Sequence, residues 1–192
     1  MWARPPAAAA LTAISLHRLC YGVLTLMTLL LYRNTFESSG GVFPGGIVGL
    51  GEVVAAGAVG TLLAAAVTPA VVRRFGKPRW ITVLLVAAGV SQVALGALFV
   101  PPAIVAAALV LGFVAQGVKI CVDTTLQEWI EDDFRGRVFS VYDTQFNITY
   151  VTALVVGAFV LPPSGVSYAV LAGVGAGYLV AAVSYAHITR RH

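Results

Sequence analysis

Long apolar runs alternate with short polar connections along this chain. Six runs lie near residues 10–32, 45–72, 80–100, 102–124, 138–160 and 166–188. A helix rises ~1.5 Å per residue, so about 20 apolar residues span the ~30 Å of hydrocarbon in a bilayer. Each run reaches that length. The pattern predicts an all-α, polytopic membrane protein with six transmembrane helices. Its solvent is the lipid bilayer, in which every backbone polar group must be satisfied within its own helix. The connections leave no room for a separate soluble unit, so residues 1–192 form a single membrane domain.

Charge sharpens this picture. Only 10% of the 192 residues are charged and 59% are apolar, against about 25% charged in an ordinary soluble domain. The connection 73–79 carries Arg73, Arg74, Lys77 and Arg79, and the connection 125–137 ends with Arg135 and Arg137. Arg4 precedes the first run, and Arg190 and Arg191 follow the last. The alternate connections are nearly free of basic residues, with Arg33 alone in 33–44 and none at Pro101-Pro102 or Pro162–Gly165. Basic residues collect on the cytoplasmic side of membranes, so both termini are expected there, which agrees with an even number of spans. The net charge of +4 is spread over membrane-flanking segments rather than gathered in one patch, and no nucleic-acid partner is expected. The first run continues to Tyr32 and is interrupted by His17 and Arg18, so it reads as a retained helix rather than a cleaved signal.

Cys20 and Cys121 both fall within runs, outside any metal-ligand or disulfide pattern. Neither a cofactor nor a metal is expected. His17 and His187 read as membrane-interface residues. Gly45, Gly49, Gly57 and Gly60 in the second run, and Gly173 and Gly177 in the last, suit close helix packing. Asn147-Ile148-Thr149 matches a glycosylation pattern but lies inside the fifth run.

Ionisable groups within a span are costly, by ~2.5–3.5 kcal/mol each at a helix centre. They are therefore the candidate functional residues. Arg18 in the first run lies ~12 Å deep. Lys119 and Asp123 lie late in the fourth run, on one helix face. Asp143 lies one to two turns into the fifth, four residues before Asn147. Tyr21 and Gln116 accompany Arg18 and Lys119. This grouping predicts a polar cavity between the first, fourth and fifth helices that binds a solute or relays a proton. The alternative for Lys119 and Asp123 is a fixed ion pair that locks helices together, and the two readings carry equal weight. Asp143 is expected as a gate or a helix contact. Glu52, about two turns into the second run, is open to a functional or a snorkelling role. The segment 128–137 places Glu128, Glu131, Asp132 and Asp133 before Arg135 and Arg137. It reads either as a solvated, helix-capping loop or as a gate whose acids pair with Arg73, Arg74 or Lys77.

The stretch TPAVVRRFGKPR at 68–79 resembles the motif joining the second and third helices of each half in the major facilitator superfamily, roughly G-x-L-x-D-R-x-G-R-R. Arg74, Gly76 and Lys77 match, whereas Arg73 replaces the Asp and Pro69 the leading Gly. The stretch DTTLQEWIEDDFRGRVFSVYDTQFN at 123–147 is similar to the helix 10 to helix 11 connection of bacterial facilitator exporters. LHRLCYGVLTLMTLLLYRNTF is similar to helix 7 of actinobacterial members. The resemblance implies helices 7–12, the C-terminal six-helix half, built as two inverted three-helix repeats at 10–100 and 102–188. It further implies a bacterial plasma membrane and a central cavity lined by the first and fourth runs.

A secondary transporter half, exporting a small organic molecule with a proton as candidate coupling ion, is the leading expectation. Arg18 and Lys119 would attract an anionic solute or tune a carboxylate, and Asp123 would carry the proton. The partner would be an N-terminal six-helix half or a second copy, and a truncated reading frame is favoured. A non-catalytic scaffold or inactive fragment is the alternative. A membrane enzyme is disfavoured, because no HExxH, GxSxG or paired-Asp metal pattern is present.

Overall fold

The computed structural model describes residues 5–36, 42–130 and 132–190. It is all-helical. The elements are α1 (Pro5–Asn34), α2 (Gly46–Phe75), α3 (Lys77–Gly96), α4 (Pro101–Trp129), α5 (Asp132–Val160) and α6 (Tyr168–Arg190). Five of them, all but α5, are long and apolar enough to cross a membrane. Asp143, Gln145 and Asn147 make α5 the least apolar. Large aliphatic and aromatic side chains cover the outside, Phe159 at 87% and Ile47 at 85% exposure among them, as suits a protein solvated by lipid.

The helices outrun the apolar runs because charged residues extend a helix beyond the hydrocarbon without breaking it. Arg73 and Arg74 belong to the last turn of α2, so the connection at 73–79 shrinks to Gly76. Gly76 reverses the chain at φ +81°, with its N–H bonded to the Val72 carbonyl at 2.9 Å, a backbone conformation open to glycine. Pro78 follows in the first turn of α3, where a missing N–H costs nothing. The segment 128–137 is likewise mostly helix. α4 runs to Trp129, Ile130 is extended, and α5 begins at Asp132. A solvated loop is therefore not what these residues form.

Two layers result. In the front layer α2 packs on α4, α4 on α1, and α1 on α5. Behind them α3 and α6 pack on each other, with α3 also against α4 and α6 against α1. The α2–α4 seam is closed by glycine. A Cβ on Gly112 would strike the backbone of Gly57, and one on Gly60 the backbone of Leu109 and Phe113. Thr61 Oγ1 bridges to the Gly112 carbonyl at 3.5 Å. The small residues of the second run thus serve the close approach expected of them. In α6 Gly177 does so against Cys20 Sγ and Gly175 against Val93, while Gly173 faces open space. The far end of α1 is tied to the α5–α6 turn by Asn34 Nδ2, donating to the Pro163 carbonyl at 2.6 Å, and Thr35 Oγ1, donating to that of Ser164.

Candidate functional site

α1, α4 and α5 bring Arg18, Lys119 and Asp123 onto one side of the front layer. Arg18, half-buried, lays its guanidinium carbon 3.8 Å from the ring centre of Phe146, 4.5 Å from that of Tyr150 and 5.5 Å from that of Tyr21. These rings offer cation–π attraction but no carboxylate, and Arg18 forms no ion pair among the described residues. Its Nε is buried without a hydrogen-bond partner. Lys119 Nζ donates to Asp123 Oδ2 at 2.6 Å, an i,i+4 pair along α4. The same ammonium lies 5.6 Å from the Tyr142 ring centre and 5.9 Å from that of Phe146. Phe146 is therefore near both cations. Asp123 Oδ1 and the Tyr142 hydroxyl are both buried and lie near each other.

Beside this cluster a cavity of about 520 Å³ opens between α1, α2 and α4, floored by Gln92 of α3 and Leu171 of α6. It occupies the half of the bundle nearer the α1–α2 and α3–α4 connections. Its walls are mainly apolar, with Thr25, Thr28 and Thr61 among the few polar groups. The Gln92 amide is tied to the Ala107 carbonyl at 2.9 Å. Tyr21 belongs to both places, since it lines the cavity and touches the Arg18 cluster. Gln116, half-buried one turn before Lys119, makes no hydrogen bond among the described residues.

No protein-family model and no solved structure matches the chain. Curated relatives do. Over 164 residues, 84% of its length, it is 35% identical to a protein of Mycobacterium bovis and to one of Mycobacterium tuberculosis, each described as an uncharacterized MFS-type transporter. The chain belongs to the major facilitator superfamily. It spans about a third, 35%, of the length of the curated relatives it matches. With its apolar helices, this relationship makes it an integral membrane protein of a transporter family.

The other sequence-predicted residues of this major facilitator chain lie away from the cluster. Asp143 and Asn147 are on the exposed face of α5, where Asn147 Nδ2 donates to the Asp143 carbonyl at 2.8 Å. Glu52 is half-buried near Tyr32, toward the opposite end of the bundle, with Oε2 buried and unbonded. Arg73, Arg74 and Arg137 are exposed, and Arg74 lies over its own neighbour Phe75. Of the charges flanking the two basic connections, Lys77 and Glu128 form an ion pair that joins α3 to α4. The side chains of Asp132, Asp133 and Arg135, and all of Glu131, lie outside the described residues.

Sequence reasoning missed the partners. Tyr142, Phe146 and Tyr150 recur every four residues on the face of α5 that meets α1 and α4, a stripe visible in the sequence at helical spacing. Gln145 Nε2 donates to Ser15 Oγ at 2.7 Å and joins α5 to α1. His17 is a correction. It is 1% exposed and not at an interface with the membrane surface. Its Nδ1 lies 3.2 Å from the Tyr178 hydroxyl of α6, and its Nε2 is buried without a partner. His187 is exposed on α6.

Proposed function

We propose that this chain is the C-terminal six-helix half of a secondary active transporter, helices 7–12 of a major facilitator fold, and that it exports a small organic molecule. The observation that carries the reading is the convergence of Arg18, Lys119 and Asp123 from two helices beside a roomy cavity. Intramembrane charge gathered at a cavity is the usual mark of a solute or proton path. In this reading Arg18, Tyr21 and Gln116 contact solute, and Asp123 is the first candidate for a coupling proton. Asp143, Asn147 and Glu52 act in coupling or gating, and the basic and acidic ends of α2, α3, α4 and α5 form a cytoplasmic gate that includes Lys77–Glu128.

The packing supports two inverted repeats. Exchanging α1 with α4, α2 with α5 and α3 with α6 turns the α1–α5 contact into α4–α2 and the α3–α4 contact into α6–α1. The basic connections support termini in the cytoplasm of a bacterial cell. Transport would come from rocking against a second six-helix unit, an N-terminal half or another copy. The test is solute flux in vesicles containing this chain and a matching six-span half. Loss of flux in Arg18→Ala and Asp123→Asn is expected, and unchanged flux would remove those residues from the path.

The closed Lys119–Asp123 pair favours a second reading for those two residues, a lock within a non-transporting scaffold. Arg18, without any acid partner among the described residues, does not fit that reading.

A further inference from the structure

We infer that the solute carries an anionic group, bound by Arg18, on an apolar body seated in the cavity beside it. This rests on the transporter reading and narrows it to a substrate class. The charge count around the site leaves one cation over. Lys119 is neutralised by Asp123 at 2.6 Å. Asp143 faces outward and Glu52 lies toward the other end of the bundle. Arg18 is left with three aromatic faces and a buried, unbonded Nε. Rings attract a guanidinium but accept none of its N–H groups in the way a carboxylate, sulfonate or phosphate oxygen does. A buried donor without an acceptor is a cost that a bound anion removes.

The rings also fix the guanidinium before the ligand arrives, which lowers the ordering cost of binding. Tyr21 connects the two halves of the site, its ring lining the cavity and lying 5.5 Å from the Arg18 guanidinium carbon. The cavity, about 520 Å³ and mostly apolar, suits a hydrocarbon or aromatic body. The whole is an amphipathic site with its charge at one end. Organic cations are disfavoured at this end by the unpaired charge of Arg18.

The experiment uses the full chain in nanodiscs of zwitterionic lipid. Equilibrium binding is measured for naphthalenesulfonate, for the uncharged naphthalenesulfonamide and for a naphthylmethylammonium ion. The sulfonate is expected to bind about tenfold or more tighter than the sulfonamide, as a charge-assisted hydrogen bond provides. Arg18→Gln should erase that preference while leaving sulfonamide binding intact, which also shows that the variant is folded. Arg18→Lys should keep part of it. Should neither variant fold, the ranking of the three probes on the unaltered chain decides. Equal or tighter binding of the sulfonamide or the ammonium ion overturns the anion inference and leaves the carrier reading standing. So does a preference that persists in Arg18→Gln. Displacement of the sulfonate by phosphatidylglycerol added to the disc assigns the anion site to a lipid headgroup and overturns the solute. Failure of all three probes to bind overturns the solute cavity itself.

Discussion

His17 and Arg18 are consecutive residues of α1, about 100° apart around the helix, and they meet opposite halves of the molecule. His17 turns toward α6, is fully buried and shares a hydrogen bond with Tyr178. Arg18 turns toward α5, is half-buried and rests on aromatic faces with no acid partner among the described residues. One polar dipeptide in a membrane helix thus supplies both a contact of the back layer and a charge of the open face. The difference teaches that depth alone does not mark a functional group in a membrane protein. What separates the two is whether the bundle itself supplies a partner.

The largest effect should come from the seam that both regions depend on. Gly112→Leu would drive a side chain into the backbone of Gly57, where nothing can rotate aside. Overpacking of this kind costs about 1–3 kcal/mol and occasionally more. Thermal unfolding in detergent should show the upper end of that range and the loss of both helix pairs together. Next, Tyr178→Phe removes the hydroxyl from buried His17 and leaves the imidazole unpartnered. A cost of about 1–3 kcal/mol is expected, read by the same unfolding measurement, with solute binding unchanged. If binding falls while stability holds, the back layer is not merely structural.

Arg18→Met should do the reverse. Its stability effect should stay within about 1 kcal/mol, because no salt bridge is broken, while flux with a partner half falls at least tenfold. The smallest effect belongs to Lys119 and Asp123. An i,i+4 pair contributes ~0.2–0.5 kcal/mol in an isolated helix, so a double-mutant cycle with Lys119→Met and Asp123→Leu should give a coupling of that order. A coupling several times larger would make the pair a lock rather than a reserve of charge for the site.

Six helices were legible because a bilayer imposes one length on crossing segments, although five of them, and not α5 with Asp143, Gln145 and Asn147, are long and apolar enough to span among the described residues. Their ends were less so. Hydropathy falls at Arg73 and at Glu128, but the backbone continues as helix through Arg74 and to Trp129, since water beyond the hydrocarbon tolerates a charged turn. The clustering of Arg18, Lys119 and Asp123 followed from depth along each helix. Rotation about each axis did not. Asp143 and Asn147 share a helix face, yet it is the exposed one, and their neighbours Tyr142 and Phe146 point inward. Polarity drew attention to the exposed face of α5 and away from the face that meets Arg18. The aromatic period along it held the needed signal, which becomes decisive only once the half-buried Arg18 stands opposite.

Side-by-side labelling of positions 17 and 18 tests the central contrast most directly. In a chain carrying Cys20→Ala and Cys121→Ala, the variants His17→Cys and Arg18→Cys would be exposed in vesicles to a charged, membrane-impermeant thiol reagent. Rapid modification of Arg18→Cys with slow or no modification of His17→Cys is the predicted result, since position 18 is half-exposed on the open face of the front layer and His17 is 1% exposed. Equal rates at the two positions, or protection of Arg18→Cys alongside a lipid-facing control, would contradict it.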